Sequence, residues 1–359
     1  MQAFGRRASL AAILIAAALL APTSSRVAAG EEGGIDLPFP ITSALPDPTP
    51  PALGAGEYDP SNSDFPRPPA LSTNVNFWKR IFTEFGVGDF VLHDRENLGI
   101  IYDVVHVGGT TNERRAADAA DPEIRRLRAK YEGILTSLAK GVAPEELGFE
   151  GRWVAQAWGY PCAPDVLFRA ASNIRAQQGL REKVDEGMQR ARALLPQILS
   201  ILRRYNVPHE LAALPLVESS FNPHAQSKAG AVGLWQFILS TGKRYLNITR
   251  RRDDRRDPIR ATDAAARLLK HNYEALGSWP LALLAYNHGR EGILAAKATL
   301  GSSAVDEIIV RYNGPRFGFA SRNFYPEFLA ALEIVDPVIH ASTQPTRNLK
   351  RHAPRAREG

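Results

Sequence analysis

Sulfur is scarce in this chain: among 359 residues there are one cysteine and two methionines. A single thiol, Cys162, excludes an internal disulfide, so the packed core alone must hold the fold, and a lone thiol is more often a small buried hydrophobe than a nucleophile. An excess of either charge is also lacking. Lysine and arginine number 44 against 38 acids, a formal net charge of +6 that falls to +3 if Arg6, Arg7 and Arg26 leave with the N-terminal segment. Nucleic acid is therefore not an expected partner of the mature body. Long apolar runs are missing too. The one candidate, Leu10 to Ala21, is shorter than the roughly 20 residues that span a bilayer. Neither a fixed-period repeat nor a succession of βα units is present, and few segments alternate as strands, which argues against a parallel-sheet architecture.

What is present begins with Arg6-Arg7, the apolar run and small residues ending in Val27-Ala28-Ala29, the order of a secretory signal peptide over residues 1–29. The paired arginines lack the rest of a twin-arginine motif, so general secretion to the periplasm or medium is expected. No cysteine lies near the expected cut, so neither a lipoprotein anchor nor any membrane anchor after signal removal is expected. Residues 30–72, rich in Pro, Gly, Ser and Asp, read as a linker. Residues 341–359, with Arg347, Lys350, Arg351, Arg355 and Arg357 against Glu358, read as a basic tail without apolar periodicity, expected to be disordered and dispensable for cleavage of short glycans.

Between linker and tail the apolar residues recur at helical spacing. Phe77, Trp78, Ile81, Phe82 and Phe85 form one stripe; Ile124, Leu127, Tyr131, Ile134, Leu135 and Leu138 form another, with Asp121-Pro122 as its expected start and Gly141 as its stop. A further helix is predicted from Arg181 to Tyr205 with a break at Pro196. Shorter helices are predicted over 208–220, 258–276, 280–288, 303–311 and 321–335. The fold class is thus mainly α, with a helical N-terminal extension over 73–180 and a catalytic domain over 181–340. Val91 to Val107 has no assigned structure.

The residues that suggest chemistry lie in three segments. Leu211, Leu214 and Val217 mark the buried face of the helix opened by Pro208, and Glu218 projects from that same stripe. Burial disfavours a carboxylate and raises its pKa, which suits a general acid near neutral pH, although a buried glutamate is more often tied to an arginine or a helix N-terminus. Ala229-Gly230-Ala231-Val232-Gly233-Leu234-Trp235-Gln236-Phe237 sets glycines, an indole and an amide side by side, a combination suited to the alternating apolar and hydroxylated faces of a sugar. Ala285-Tyr286-Asn287-His288-Gly289 stands at a helix end, where Gly289 equally suits a plain C-cap.

Together, in this order and spacing, the three segments resemble the soluble lytic transglycosylase family, which shares its fold with goose-type lysozyme. Trp235, Phe77-Trp78, His93-Asp94-Arg95-Glu96-Asn97 and Gln177-Gln178-Gly179-Leu180 look most like the branch of membrane-bound lytic transglycosylase D, over roughly residues 75 to 340. The resemblance implies a lysozyme-like catalytic domain. It makes Glu218 the catalytic acid, and makes Ser219, Ser227, Trp235, Gln236, Tyr286 and Asn287 residues that orient it or bind substrate. The chain is expected to depart from that branch by having neither the usual C-terminal peptidoglycan-binding repeats nor a lipid anchor. It also has Phe324 where the family often has tyrosine; Tyr325 would supply the hydroxyl only after a one-residue shift, about 100° on a helix.

By the same resemblance the partner is the glycan strand of peptidoglycan, and neither metal nor cofactor is required. Glu218 would protonate the oxygen between N-acetylmuramic acid and N-acetylglucosamine, then take the proton of the muramyl C6 hydroxyl as it closes a 1,6-anhydro ring. Ordinary glycosidases use two carboxylates. The nearest further acids in sequence, Asp253, Asp254 and Asp257, lie among five arginines, and Asp257 before Pro258 reads as a helix N-cap. A hydrolytic goose-type muramidase remains an alternative, and a non-catalytic glycan-binding envelope protein is one of another class. Oligomeric state is not legible.

Overall fold

The computed structural model describes residues 64–343; the expected signal peptide, most of the expected linker and residues 344–359 lie outside them. Within this range the chain is mainly helical, as its periodicity predicts. Order is present from Phe65, inside the stretch read as linker: Phe65 is fully buried with its ring 5.0 Å from that of Phe328. Helix α1 (Ser72–Thr83) follows and buries Val75, Phe77, Trp78, Ile81 and Phe82.

The extension is not wholly helical. Strands β1 (Asp89–Asp94), β2 (Ile101–His106) and β3 (Ile174–Gln178) form an antiparallel sheet in the order β2-β1-β3, with Leu92 opposite Asp103 on one side and Ala176 on the other. Its central strand is buried on both faces, so Phe90-Val91-Leu92 is a continuous apolar run without the alternation that marks a half-exposed strand. Side chains along a strand point alternately to opposite faces. Val91 accordingly enters the core shared with α1, while Phe90 and Leu92 enter a second core beneath the sheet. Asp94 makes the hairpin: its Oδ1 accepts from the backbone N–H of Glu96 at 2.8 Å and of Asn97 at 2.7 Å.

Between β2 and β3 run α2 (Glu113–Ala139), α3 (Gly148–Ala157) and α4 (Pro164–Ser172). α2 starts about two turns before the predicted Asp121 cap, because Asn112 caps it, its side chain accepting from Arg115 N–H at 3.0 Å, and the helix continues through Pro122. α5 (Arg181–Arg204) likewise continues through Pro196.

After α5 come a 3-10 turn (His209–Ala213), α6 (Leu214–Ser219), the four-residue α7 (Leu239–Gly242), α8 (Pro258–Leu276), α9 (Trp279–His288), α10 (Arg290–Leu300), α11 (Val305–Arg311) and α12 (Phe319–Thr343). α12 is the central pillar, packed on α1, α5, α6 and α9. Because α1 shares the larger core with the later helices, the boundary expected at residue 180 does not separate two cores. Among the described residues no helix is long and apolar enough to cross a membrane.

Candidate active site

Helix α6 ends in two consecutive left-handed residues that are not glycine, Ser220 at φ +50° and Phe221 at φ +56°. Each such residue costs about 1–2 kcal/mol, so the surroundings must hold them. Phe221 is fully buried and its N–H donates to Pro215 O at 3.0 Å. Helix α5 comes so near that a Cβ on Gly187 would stand 3.0 Å from Ser220 O. Three residues on, Arg190 donates to that same carbonyl from Nε at 3.2 Å and Nη2 at 3.1 Å.

Glu218 sits in the last turn of this clamped helix. It is 4% exposed, and its Oε1 has no hydrogen-bond partner. Burial alone pushes its pKa up to about 8, so at neutral pH it is mostly a neutral acid. It lines a cleft together with Gln236, Tyr286, Asn287 and His288.

The opposite wall is the loop 225–237, shaped by Gly233 at φ +85°, where an added Cβ would lie 1.8 Å from Arg255 O. Arg255, from the run of arginines and aspartates at 250–257, is 8% exposed. Its Nη1 donates to Gly230 O and Phe237 O, each at 3.2 Å, while Nε and Nη2 hold Asp253 at 2.9 and 2.7 Å. It therefore pins both ends of the loop turn. Asp254 is paired with Arg252 at 2.6 Å and Arg260 at 3.2 Å, and Asp257 caps α8 through the N–H groups of Ile259 and Arg260, both at 3.0 Å. The arginine partners hold Asp253 and Asp254 below the usual carboxylate range. Asp257→Ala should cost about 1 kcal/mol in chemical denaturation and leave kcat of the folded protein unchanged.

The residues singled out in the sequence divide into two groups. Gln236, Tyr286 and Asn287 reach the cleft with Glu218. The Tyr286 hydroxyl donates to Trp235 O at 2.6 Å, and burial, followed by the Glu218 charge, holds its pKa well above the usual value. Asn287 is 2% exposed with its Nδ2 unpaired, an amide donor at the cleft wall rather than a solvated cap residue. Ser219, Ser227 and Trp235 are not in the cleft lining. Ser219 Oγ donates to Leu234 O at 2.8 Å and ties α6 to the loop, and Ser227 Oγ accepts from Ala231 N–H at 2.9 Å within it. Trp235 is fully buried and donates from Nε1 to Thr262 Oγ1 at 2.9 Å, so its indole is a core strut rather than a sugar platform. Sequence reasoning missed Arg244, Arg290 and Arg316 at the cleft. They belong to no motif, and only folding brings them together.

Residues 198–309 match the family model of the transglycosylase SLT domain. The matched segment holds Glu218 and most of the cleft, but not α12. Over 112 residues the chain is 42% identical to membrane-bound lytic murein transglycosylase D of Escherichia coli (strain K12), covering 31% of this chain and 25% of that protein. Over 117 residues it is 34% identical to a putative tributyltin chloride resistance protein of Alteromonas sp. (strain M-1), covering 32% of this chain and 56% of that protein. The chain thus matches about a quarter of the first relative's length and little more than half of the second's.

The raised pKa of Glu218 has a consequence for stability. A buried acid whose folded pKa lies near 8, against 4.5 for the free group, contributes stability that is fully present below about pH 4.5 and is lost as pH rises through 8, because the folded state then holds the proton more tightly than the unfolded state. Glu218→Gln, which cannot ionise, should therefore melt at higher temperature than the unchanged protein at pH 8. The difference should shrink toward zero below pH 4.5. Thermal melts of the pair across this range test the assignment, and a constant difference would contradict it.

Proposed function

We propose that this protein is a peptidoglycan lytic transglycosylase that cleaves the β-1,4 bond between N-acetylmuramic acid and N-acetylglucosamine and leaves 1,6-anhydromuramic acid ends. The observation that carries the reading is the buried Glu218 carboxyl, its Oε1 without a hydrogen-bond partner, in the cleft of a segment that matches the SLT domain. Similarity to a protein named as a lytic murein transglycosylase supports the substrate class, and the upstream motifs support a relation to the D branch. The glycan strand lies in the cell envelope, which agrees with the export signal expected over residues 1–29.

Glu218 gives its proton to the glycosidic oxygen as the C1–O bond breaks. The muramyl C6 oxygen forms the new bond to C1, and its proton goes to the Glu218 carboxylate, which restores the acid. Water is neither consumed nor released, and an intramolecular nucleophile gains the entropic advantage of proximity. Asn287 offers its amide N–H to the sugar, Gln236, whose Nε2 donates to Gly233 O at 2.8 Å, offers its carbonyl oxygen, and Tyr286 braces the cleft beside the acid.

The hydrolytic alternative needs a second, ionised carboxylate to activate water. Among the described residues Asp253 and Asp254 are paired with arginines, Asp257 caps a helix, and Glu291, the other acid lining the cleft, points to solvent with its side chain 83% exposed. Digestion of glycan strands in water enriched in oxygen-18 separates the two readings. The transglycosylase incorporates none of the label at the new muramyl end; a hydrolase incorporates one atom per cut.

A further inference from the structure

Helix α12, packed on α6, carries a second buried acid, Glu327, whose carboxyl is within the electrostatic reach of Glu218. Phe319, Asn323 and Glu327 recur at intervals of four and so share one stripe of this helix. The Arg175 guanidinium, on β3, lies 4.3 Å over the Phe319 ring, and Trp78 of α1 donates from Nε1 to Asn323 Oδ1 at 3.1 Å. Glu327 is 2% exposed, and like Glu218 it has an Oε1 without a hydrogen-bond partner. α12 packs directly on α6, and Glu327 is absent from the cleft lining.

The hydroxyl that the lytic transglycosylase resemblance would lead one to expect on this helix is missing. Phe324 carries none, and the Tyr325 hydroxyl donates to Pro66 O at 2.8 Å, so it does not substitute. A Glu218 carboxylate formed in the middle of the reaction therefore has no donor from either residue.

We propose that Glu327 is a positioning residue of the catalytic site, a protonated carboxyl that donates a hydrogen bond to the transient Glu218 carboxylate and is held there by the Arg175-bearing edge of the N-terminal sheet. Its proton is lent and not transferred, so the two proton movements of the reaction are unchanged. Burial, then the Glu218 charge, raises the Glu327 pKa well above its ordinary value, while Arg175 opposes this. Burial and the Glu218 charge both favour the protonated form of Glu327. The other groups around the stripe are fixed in charge near neutral pH: Arg175 has Arg95 and Arg128 as charged neighbours, Tyr286 stays protonated, and the buried His93, lowered to about 3, stays neutral. The N-terminal extension then has a catalytic purpose, since α1 and β3 hold the stripe that aims Glu327.

This inference rests on the lytic transglycosylase reading, and its test keeps the two apart. Glu327→Gln keeps the volume and an N–H donor; Glu327→Met keeps the volume and removes every donor. With the full chain and isolated glycan strands, the methionine variant should lose roughly 10- to 100-fold in kcat with KM within about two-fold, the size expected for a hydrogen bond to a charged group. Its alkaline limb should move to higher pH, because an unsupported carboxylate is harder to form. The glutamine variant should stay within about three-fold of the unchanged enzyme with its limb in place. A role confined to packing would alter the melting temperature and leave kcat and the limb where they were; that result, or a glutamine variant as impaired as the methionine one, overturns the proposal. Should the methionine variant fail to fold, carbon-13 spectra of glutamate-labelled protein decide. One carboxyl must remain protonated at pH 9 and vanish in Glu327→Gln, and an ionised Glu327 at pH 7 would refute the role. If the unchanged enzyme makes no anhydro ends, the parent reading fails instead.

Discussion

Glu218→Gln should fold and bind glycan strands with near-unchanged affinity yet lose about 10⁴-fold or more in turnover. An amide fills the same volume and cannot deliver or retrieve a proton. General acid–base contributions are typically about 10² to 10⁴-fold, and in the proposed mechanism one group serves both transfers, which places the expected loss at or beyond the upper end. The surroundings favour an intact fold. Glu218 makes no ion pair among the described residues, and its Oε1 accepts no hydrogen bond, so the substitution strands no charged partner. Parallel measurements of anhydro-end release and of strand binding check this, and a variant retaining even a tenth of the original rate would remove Glu218 from its role.

The second large effect should come from a residue that touches no substrate. Gly233→Ala forces a side chain into the left-handed region at φ +85° and sets its Cβ 1.8 Å from the Arg255 carbonyl. The conformational cost is about 1–2 kcal/mol, and overpacking against a backbone atom that cannot rotate away adds about 1–3 kcal/mol. The loop would have to shift, and with it Leu234 O, the acceptor of Ser219, and Trp235 O, the acceptor of Tyr286. Misplacement of about 1 Å can cost around 10²-fold in rate, so activity and melting temperature should fall together. Gly230→Ala is the control. It shares the positive φ, at +82°, but its Cβ meets nothing within 4 Å, so it should cost about 1 kcal/mol and little activity. Equal behaviour of the two variants would show that the close approach to Arg255 is unimportant.

Helical periodicity carried most of the fold because α1, α5 and α8 each bury one stripe. α8 spans Pro258–Leu276 as read, since its signals are local: the Asp257 cap, the proline in its first turn and Gly277 at its end. The sheet was illegible for the opposite reason. β1 is sandwiched between two cores, and a run of apolar residues does not declare whether it is strand or helix. Starts and breaks assigned to proline were misplaced at Pro122 and Pro196, where tertiary packing carries the helix through.

The same division holds at the site. Glu218 was visible because an acid on an apolar stripe breaks the pattern, and Tyr286 and Asn287 because they stand at a helix end. Trp235 read as a sugar platform, but composition cannot tell an indole in a cleft from one in a core, and here the core and the Thr262 hydroxyl claim it. Arg255 stood only as one of five arginines around the aspartates. Its role depends on carbonyls 18 and 25 residues away in the chain, which no local pattern encodes. Glu327 lay in a stretch read only as helix, and its proximity to Glu218 arises from the packing of α12 on α6.

In the proposed mechanism Glu218 drives cleavage by proton transfer, with the muramyl C6 hydroxyl as nucleophile. The most direct test is mass spectrometry of the fragments released from sacculi by the unchanged protein and by Glu218→Gln, side by side. Fragments ending in 1,6-anhydromuramic acid, lighter by one water than reducing ends, are expected from the unchanged protein and almost none from the variant. Reducing ends alone from the unchanged protein, or anhydro ends from the variant at a comparable rate, would contradict that mechanism.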